Sequence, residues 1–299
     1  MQANVEKLPK SAIKISVTVE SAKVKEAYEK ALDKAVQETE IQGFRKGNAP
    51  REMVKEHIGV SNLYGDVIND LLQIYYPQVL KENHVAPVSN PKVEIKEFDL
   101  EKDLEFVATV AVRPEVKMGD YKKTLKVKCD AKAAAARKEN EAKLKKGEKL
   151  EDSHVHLGSN EVIDVLVKES EVEIADILIE EEADRLMARL VDQTQAIGLS
   201  MESYLRSQGK TADQLRKEYS EIAEKNLKAE FIMAHLVNEE KIEVSEKEID
   251  DTIAAVGNEA MRAKLTDPVE RLYIKSILQK NKLINKLIAE AEGENHHEH

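Results

Sequence analysis

A helical pattern of apolar residues runs through most of the second half of the chain. Between residues 160 and 292, apolar residues recur at spacings of three and four, the period of an amphipathic helix. Thr211 with Gln214, and Ser245 with Glu248, have the spacing of capping boxes at helix starts. Long antiparallel helices joined by short turns form helical hairpins. We therefore expect a mainly α-helical domain with projecting helical arms.

The first part of the chain combines strand and helix patterns. Ile13, Ile15, Val17 and Val19 alternate with polar residues, which predicts a half-buried strand. The other predicted elements are strands at 93–95 and 106–112 and helices at 22–40, 50–58 and 63–76. Pro77 is expected to kink or break the last helix. This order predicts a small α+β domain with an antiparallel sheet.

The two patterned regions are separated by a stretch with few apolar residues. We interpret residues 114–130 as an extended linker between the α+β domain, residues 1–113, and a helical domain, residues 131–299. Residues 131–146 are mostly Ala, Lys and Glu and predict a helix. The fold class expected for the whole chain is elongated and multi-domain.

Charge is distributed unevenly along the chain, whose net charge is −11. Residues 150–299 hold 18 basic and 33 acidic residues, a difference of −15, which argues against binding of nucleic acid, DNA included, by general electrostatics. Residues 121–149 hold 11 basic and 4 acidic residues, a difference of +7. We interpret that basic stretch as a solvated helix face.

An octet between two predicted helices combines an aromatic residue, cations, glycines and a proline. It reads Gly-Phe-Arg-Lys-Gly-Asn-Ala-Pro over residues 43–50. Glycines permit backbone conformations that other residues avoid, and aromatic and arginine side chains dominate contact energies at interfaces. With Arg51, the octet makes a local group of three positive charges. The pattern predicts a rigid tip that contacts a partner.

The octet resembles the ribosome-docking signature of the trigger factor family, bacterial chaperones of the ribosomal exit tunnel. The family pattern Gly-Phe-Arg-x-Gly-Lys-x-Pro is met at Gly43, Phe44, Arg45, Gly47 and Pro50. Asn48 stands where the family usually has lysine. Residues 116–121, 169–180 and 198–211 also resemble the family's linker, the entry to its C-terminal domain and the tip of its first arm. The resemblance covers roughly residues 10–120 and 160–255.

This resemblance implies a chaperone that works without ATP and without a cofactor. The residues implied in docking to the large ribosomal subunit, on a protein beside the tunnel exit, are Gly43, Phe44, Arg45, Lys46, Gly47 and Pro50. The helical arms would bind nascent or unfolded polypeptides, and Met187, Met201 and Met233 are the candidate client contacts, because methionine adapts to varied partners. Self-association away from the ribosome is also implied.

The prolyl-isomerase domain usual in this family is expected to be missing. Such a domain needs on the order of 100 residues, whereas only about 40 lie between Tyr121 and the start of the C-terminal helices. Residues 122–203 contain no Trp, Phe or Tyr, so they cannot line an aromatic proline pocket. We therefore expect no enzyme activity.

Other functional sites are weakly indicated. His154 and His156 are too few ligands for a zinc site. His296, His297 and His299 are expected to form a disordered tail or to be left over from an added tag. No nucleotide-binding loop or nucleophile with an adjacent base is found, so we expect no catalytic or metal site.

The expected location is the cytoplasm. No apolar run reaches the length of a membrane span, the N-terminus lacks an apolar signal segment, and Cys129 is the only cysteine. Three alternatives stay open: a ribosome-independent holdase or assembly chaperone, a prolyl isomerase, and a secreted chaperone of a related helical class.

Overall fold

The computed structural model describes residues 2–96, 98–146 and 156–293. Contacts between Cα atoms divide the chain into two units. The first unit comprises Met1–Arg113 with Ala175–Glu181, and the second comprises Pro114–Ile174 with Glu182–His299. Each unit is described separately below.

A four-stranded antiparallel sheet forms one layer of the first unit. Its strands are β1 (Gln2–Leu8), β2 (Ala12–Val19), β3 (Lys92–Ile95) and β4 (Leu104–Ala111), in the order β1-β2-β4-β3. The alternation in β2 buries its isoleucines and valines, and β2 pairs with β4 so that Val17 lies opposite Phe106. The antiparallel sheet predicted from the sequence is confirmed. Strand β1 was not predicted because most of its side chains are exposed.

Three helices lie beside the sheet: the first and third pack on one of its faces, and the second packs against the other two helices. They are α1 (Ser21–Glu38), α2 (Arg51–Ile58) and α3 (Val60–Glu82), close to the predicted ranges. The buried core between helices and sheet contains Val24, Tyr28, Leu32, Leu63, Val67, Leu71, Val79, Leu104 and Phe106. Burial of these apolar side chains against the sheet holds α1 and α3 in place and thereby positions the chain between α1 and α2.

The predicted interruption at Pro77 is wrong as a helix end, since α3 continues through Pro77 to Glu82. Proline removes one N–H donor and costs about 3 kcal/mol in a helix interior. Pro77 and Gln73, the residue four positions earlier, are both exposed, so the carbonyl left without its donor lies on the solvent side. Leu71 and Val79 are buried on either side of Pro77. Their packing stabilises a helix that local propensity alone would end.

The linker predicted at residues 114–130 is also wrong over most of its length. Residues Val116–Met118 form β5, which pairs with β6 (Ser170–Val172), and helix α4 (Tyr121–Lys146) begins directly afterwards. Tyr121, Leu125 and Cys129 are buried. Their spacing of four places all three on one side of a helix, and this short apolar stripe is the signal that the interpretation as a linker overlooked.

The rest of the second unit is helical, as predicted. Its helices are α5 (Ser159–Lys168), α6 (Asp176–Ala196), α7 (Met201–Gln208), α8 (Ala212–Glu239), α9 (Glu246–Ala254), α10 (Glu259–Leu265) and α11 (Pro268–Glu292); the first residues of α6 belong to the first unit. Both predicted capping boxes are confirmed: the Thr211 and Ser245 hydroxyls accept hydrogen bonds from the N–H groups of Gln214 and Glu248. No helix in the described ranges is long and apolar enough to cross a membrane.

A cluster of charged side chains ties α4, α8 and α11 together around Glu240. The Glu240 carboxylate lies 2.7 Å from Lys122 Nζ and also pairs with Lys286. The hydrogen bond from Lys122 is the largest of the causes that lower the pKa of Glu240 from 4.5 to about 2. Only 15% of the Glu240 side chain is exposed, so solvent screens these pairs weakly.

Glu240→Gln should therefore lower the free energy of unfolding by about 2–3 kcal/mol at neutral pH. The folded-state pKa lies below the unfolded value, so the wild type has this stabilisation above the unfolded pKa and loses it as pH falls from about 5 towards 2. Urea unfolding over that pH range measures the effect. Glu221→Gln, on an exposed site of α8, is the control; equal losses in both variants would contradict the role of Glu240.

Candidate functional site

The chain between α1 and α2 folds into two successive turns, each with glycine at its third position. The Phe44 N–H donates to the Ile41 carbonyl at 3.0 Å, and the Asn48 N–H donates to the Arg45 carbonyl at 2.9 Å. Gly43 and Gly47 have φ values of 93° and 87°. Positive φ at this position is the requirement of a type II turn. The two glycines of the octet therefore set the shape of the loop.

The two turns present three neighbouring side chains to solvent. Phe44 is 41% exposed, which is unusual for a phenylalanine, and Arg45 and Lys46 are both exposed. Ala49 is buried and fixes the end of the loop on the domain, and Pro50 precedes the first residue of α2. All six residues predicted for docking thus lie on one short loop.

Of the three positive charges predicted here, Arg51 is already engaged in ion pairs within the unit. Arg51 donates to Glu29 at 2.9 Å and to Asp33, both on α1. The hydrogen bond with Asp33 is the largest cause that raises the pKa of Arg51. Arg51 therefore ties α2 to α1, which leaves Arg45 and Lys46, neither of which forms an ion pair with another described residue.

Gly47→Ala should destabilise the loop, because an alanine at a φ of 87° adopts a left-handed conformation that costs about 1–2 kcal/mol. No atom lies within 4 Å of the added Cβ, so the whole cost comes from the backbone. Urea unfolding measures it. Gly65→Ala is the matched control, since Gly65 lies in α3 without positive φ and alanine favours helix. A Gly47→Ala variant as stable as Gly65→Ala would contradict the turn geometry.

The predicted client contacts differ in exposure. Met187 and Met201 are partly exposed, whereas Met233 is only 4% exposed. Met233 lies at the base of a groove of about 820 Å³ between α5, α8 and α11. The groove's apolar lining comes from Ile163, Ile222, Met233, Ile277 and Ile284. Its rim carries the pairs Lys225–Asp164 at 2.8 Å and Lys280–Glu230 at 2.6 Å.

A second apolar surface lies on α11, next to α10. Val269, Leu272 and Tyr273 are 72%, 67% and 63% exposed and share one side of the helix, at spacings of three and four. Met261 on α10 is also exposed, and Ile277, one turn further along α11, reaches the groove. Contiguous exposed apolar surface of this kind marks interaction sites. The sequence shows the helical spacing, but not that this side of α11 remains uncovered.

The described residues offer no group of three or more His, Cys, Asp or Glu side chains that could hold a metal ion. His156 Nδ1 lies 3.1 Å from the Glu292 carboxylate at the end of α11. His154, His296, His297 and His299 lie outside the described residues. Burial is the largest cause that raises the pKa of the Cys129 thiol, which disfavours its reactive thiolate.

Family models match nearly the whole chain. Residues 1–146 match the model described as bacterial trigger factor protein, and residues 135–289 match the model of its C-terminus, which alone spans more than half of the chain. The two ranges overlap, so no unmatched stretch separates them. This arrangement agrees with the predicted lack of an isomerase domain between the two parts.

Individual relatives with similar sequences are also trigger factors. The trigger factor of Clostridium acetobutylicum is 41% identical over 122 residues, which cover 41% of this chain but only 28% of the relative. That of Clostridium botulinum is 27% identical over 300 residues, covering 93% of this chain and 68% of the relative. The chain thus spans under a third of the first relative's length and about two thirds of the second's.

A solved structure shares the fold over almost all of both chains. It comes from a study of promiscuous substrate recognition in the folding and assembly activities of the trigger factor chaperone. The TM-score is 0.63 at 15% sequence identity, with 98% of this chain and 100% of the other chain covered. At this identity the likeness concerns the fold alone.

Proposed function

The chain belongs to the trigger factor family of chaperones, and from this we propose that it binds nascent or unfolded polypeptides without ATP while docked on the ribosome. The docking element is the loop of residues 43–50. Its partner is a protein beside the tunnel exit of the large subunit, and the cytoplasm is the corresponding location.

The observation that carries the docking proposal is the geometry of the loop. Two glycine-dependent turns hold Phe44, Arg45 and Lys46 side by side, and the Arg51 ion pairs fix the base of the loop to α1. A preorganised loop loses little conformational entropy on binding. Phe44 would pack against the ribosomal protein, while Arg45 and Lys46 would pair with its acids or with RNA phosphates.

Client binding is proposed for the apolar surfaces of the second unit. The groove between α5, α8 and α11 and the exposed side of α11 offer apolar side chains flanked by charged ones. Such a surface can hold many apolar segments weakly, because no single side chain has to fit one pocket. Weak contacts dissociate fast, so release needs no nucleotide. The same surfaces would support self-association when no client is present.

Met187 and Met201 keep their proposed role as client contacts, since both are partly exposed. For Met233 the role is limited to the base of the groove, because its side chain is almost fully buried.

We also propose that the chain lacks prolyl-isomerase activity. This rests on the overlap of the two matched family ranges, which leaves no separate stretch for that domain. Within the described residues, 122–146 and 156–203 contain no aromatic side chain for a proline pocket. Proline isomerisation of a model peptide at catalytic protein concentrations would contradict this proposal.

A ribosome-independent holdase is the second candidate. It is favoured by Asn48, which stands where the family signature usually has lysine, and by the engagement of Arg51 with α1. In that case the apolar surfaces alone would carry the function.

Light scattering of a chemically denatured model protein, diluted into buffer with and without ATP, tests the client-binding proposal. We expect suppression of aggregation at near-stoichiometric amounts of this protein, with no effect of ATP. Unchanged aggregation at a large molar excess would contradict it.

A further inference from the structure

The basic residues of α4 fall into two sets that face different surroundings. Lys122, Lys128 and Lys132 lie beside the neighbouring helices of the second unit and form ion pairs with them. Lys122 pairs with Glu240 at 2.7 Å and Glu290 at 3.3 Å, while Lys132 pairs with Glu161 at 2.6 Å. These lysines hold α4 against α5, α8 and α11 and are engaged within the unit.

The other set lies on the opposite, exposed side of α4. Lys123, Lys126, Arg137 and Lys138 are all exposed, and none forms an ion pair with another described residue. The acids nearby do not neutralise them: Glu139 pairs with Lys143 at 3.1 Å, and Asp130 is the one acid between Lys126 and Arg137. We call these four cations the α4 basic stripe.

The stripe is long, and packing against the rest of the unit supports its first half. Fifteen residues separate Lys123 from Lys138, which corresponds to about 22 Å along a helix. Tyr121, Leu125 and Cys129 are buried beneath the first half of the stripe and fix the helix. The exposed residues between Lys126 and Arg137 include Ala131 and Ala134 together with Val127 and Asp130.

We propose that the α4 basic stripe binds the phosphate backbone of structured RNA. The stripe consists of two groups of exposed cations, Lys123 with Lys126 and Arg137 with Lys138, and no aromatic side chain lies between them. Such cations are suited to phosphates rather than to stacked bases.

A membrane surface fits less well, because Tyr121, Leu125 and Cys129 are buried, and Val127 and Leu144 are the large apolar side chains that remain exposed on the described part of α4. The acidic remainder of the unit would repel RNA, so binding would be confined to this helix. This contact is separate from the docking loop and does not depend on it.

Binding of the full chain to a short synthetic RNA duplex, measured by fluorescence anisotropy over a range of salt concentrations, tests the proposal. Four phosphate contacts predict that the affinity falls about 100-fold for a fourfold rise in salt. Replacing all four cations with glutamine keeps the helix propensity and should remove this salt-dependent binding. Replacing only Arg137 and Lys138 should reduce the steepness of the salt dependence by about half.

A matched variant controls for net charge. It replaces Arg189, Lys217, Lys247 and Lys264 with glutamine, four exposed cations of the same unit that form no ion pair with other described residues. We expect this variant to bind RNA like the wild type.

Three results would overturn the proposal: no measurable RNA binding by the wild type, equal loss of binding in the matched variant, or equally tight binding of the wild type to vesicles of anionic phospholipid. Loss of RNA binding on alanine substitution of Phe44, Arg45 and Lys46 alone would assign the contact to the docking loop instead.

Discussion

Replacing Phe44, Arg45 and Lys46 together with alanine should weaken binding to bacterial ribosomes by at least about 100-fold. The variant removes the aromatic side chain and both cations of the loop without touching its glycines or the buried Ala49. The three side chains are exposed, so the free energy of unfolding should change little. Co-sedimentation with purified ribosomes through a sucrose cushion measures the loss, and circular dichroism checks the fold.

The matched control replaces Lys7, Lys81 and Val88 with alanine. These are two exposed cations and one exposed apolar residue of the same unit, outside the loop. The control should bind ribosomes like the wild type. Unaltered ribosome binding by the loop variant, or an equal loss of binding in both variants, would contradict the docking proposal.

Replacing Val269, Leu272 and Tyr273 with serine should abolish most of the suppression of client aggregation. Together these side chains form the most exposed part of the apolar surface on α11. Burying one such side chain against a client contributes about 1.5–3 kcal/mol, so losing three would weaken a client complex by orders of magnitude. Since all three point to solvent, the second unit should remain folded. Light scattering of a denatured model protein measures the effect.

A control for scattered apolar residues replaces Ile74, Val127 and Ile197 with serine. Each is at least 59% exposed, and they lie in different helices or loops: Ile74 in α3, Val127 in α4 and Ile197 after α6. We expect this control to suppress aggregation normally. If it lost as much activity as the α11 variant, client binding would be spread over the chain, and the assignment to α11 would be wrong.

Local sequence patterns predicted those parts of the molecule that depend on neighbouring residues. The alternation of Ile13 to Val19 and the capping boxes at Thr211 and Ser245 are set within a few residues, and the structure confirms them. The octet likewise showed that Gly43 and Gly47 would shape a loop, because positive φ is a property of the residue itself.

Features that depend on distant residues could not be predicted. Strand β1 exists because it pairs with β2, although its own side chains are mostly exposed. The helix passes Pro77 because core packing on both sides outweighs a local penalty. The sequence groups Arg51 with the cations of the docking loop, whereas its ion pairs with Glu29 and Asp33 on α1 are visible only in the structure.

The exposed side of α11 is another feature that the sequence alone could not predict. Helical spacing of Val269, Leu272 and Tyr273 predicts that one side of the helix is apolar, and such a side is normally buried in the same domain. Whether another helix covers it depends on the packing of α9 and α10. That packing covers Ile274 but leaves the three neighbours exposed.

The central claim is that docking and client binding reside on separate surfaces, one in each unit. It is tested most directly by measuring ribosome co-sedimentation and aggregation suppression on the same preparations of the two triple variants. The loop variant should lose ribosome binding and keep full suppression, whereas the α11 variant should lose suppression and bind ribosomes normally. Loss of both activities in either folded variant, or the reverse pairing of losses, would contradict the claim.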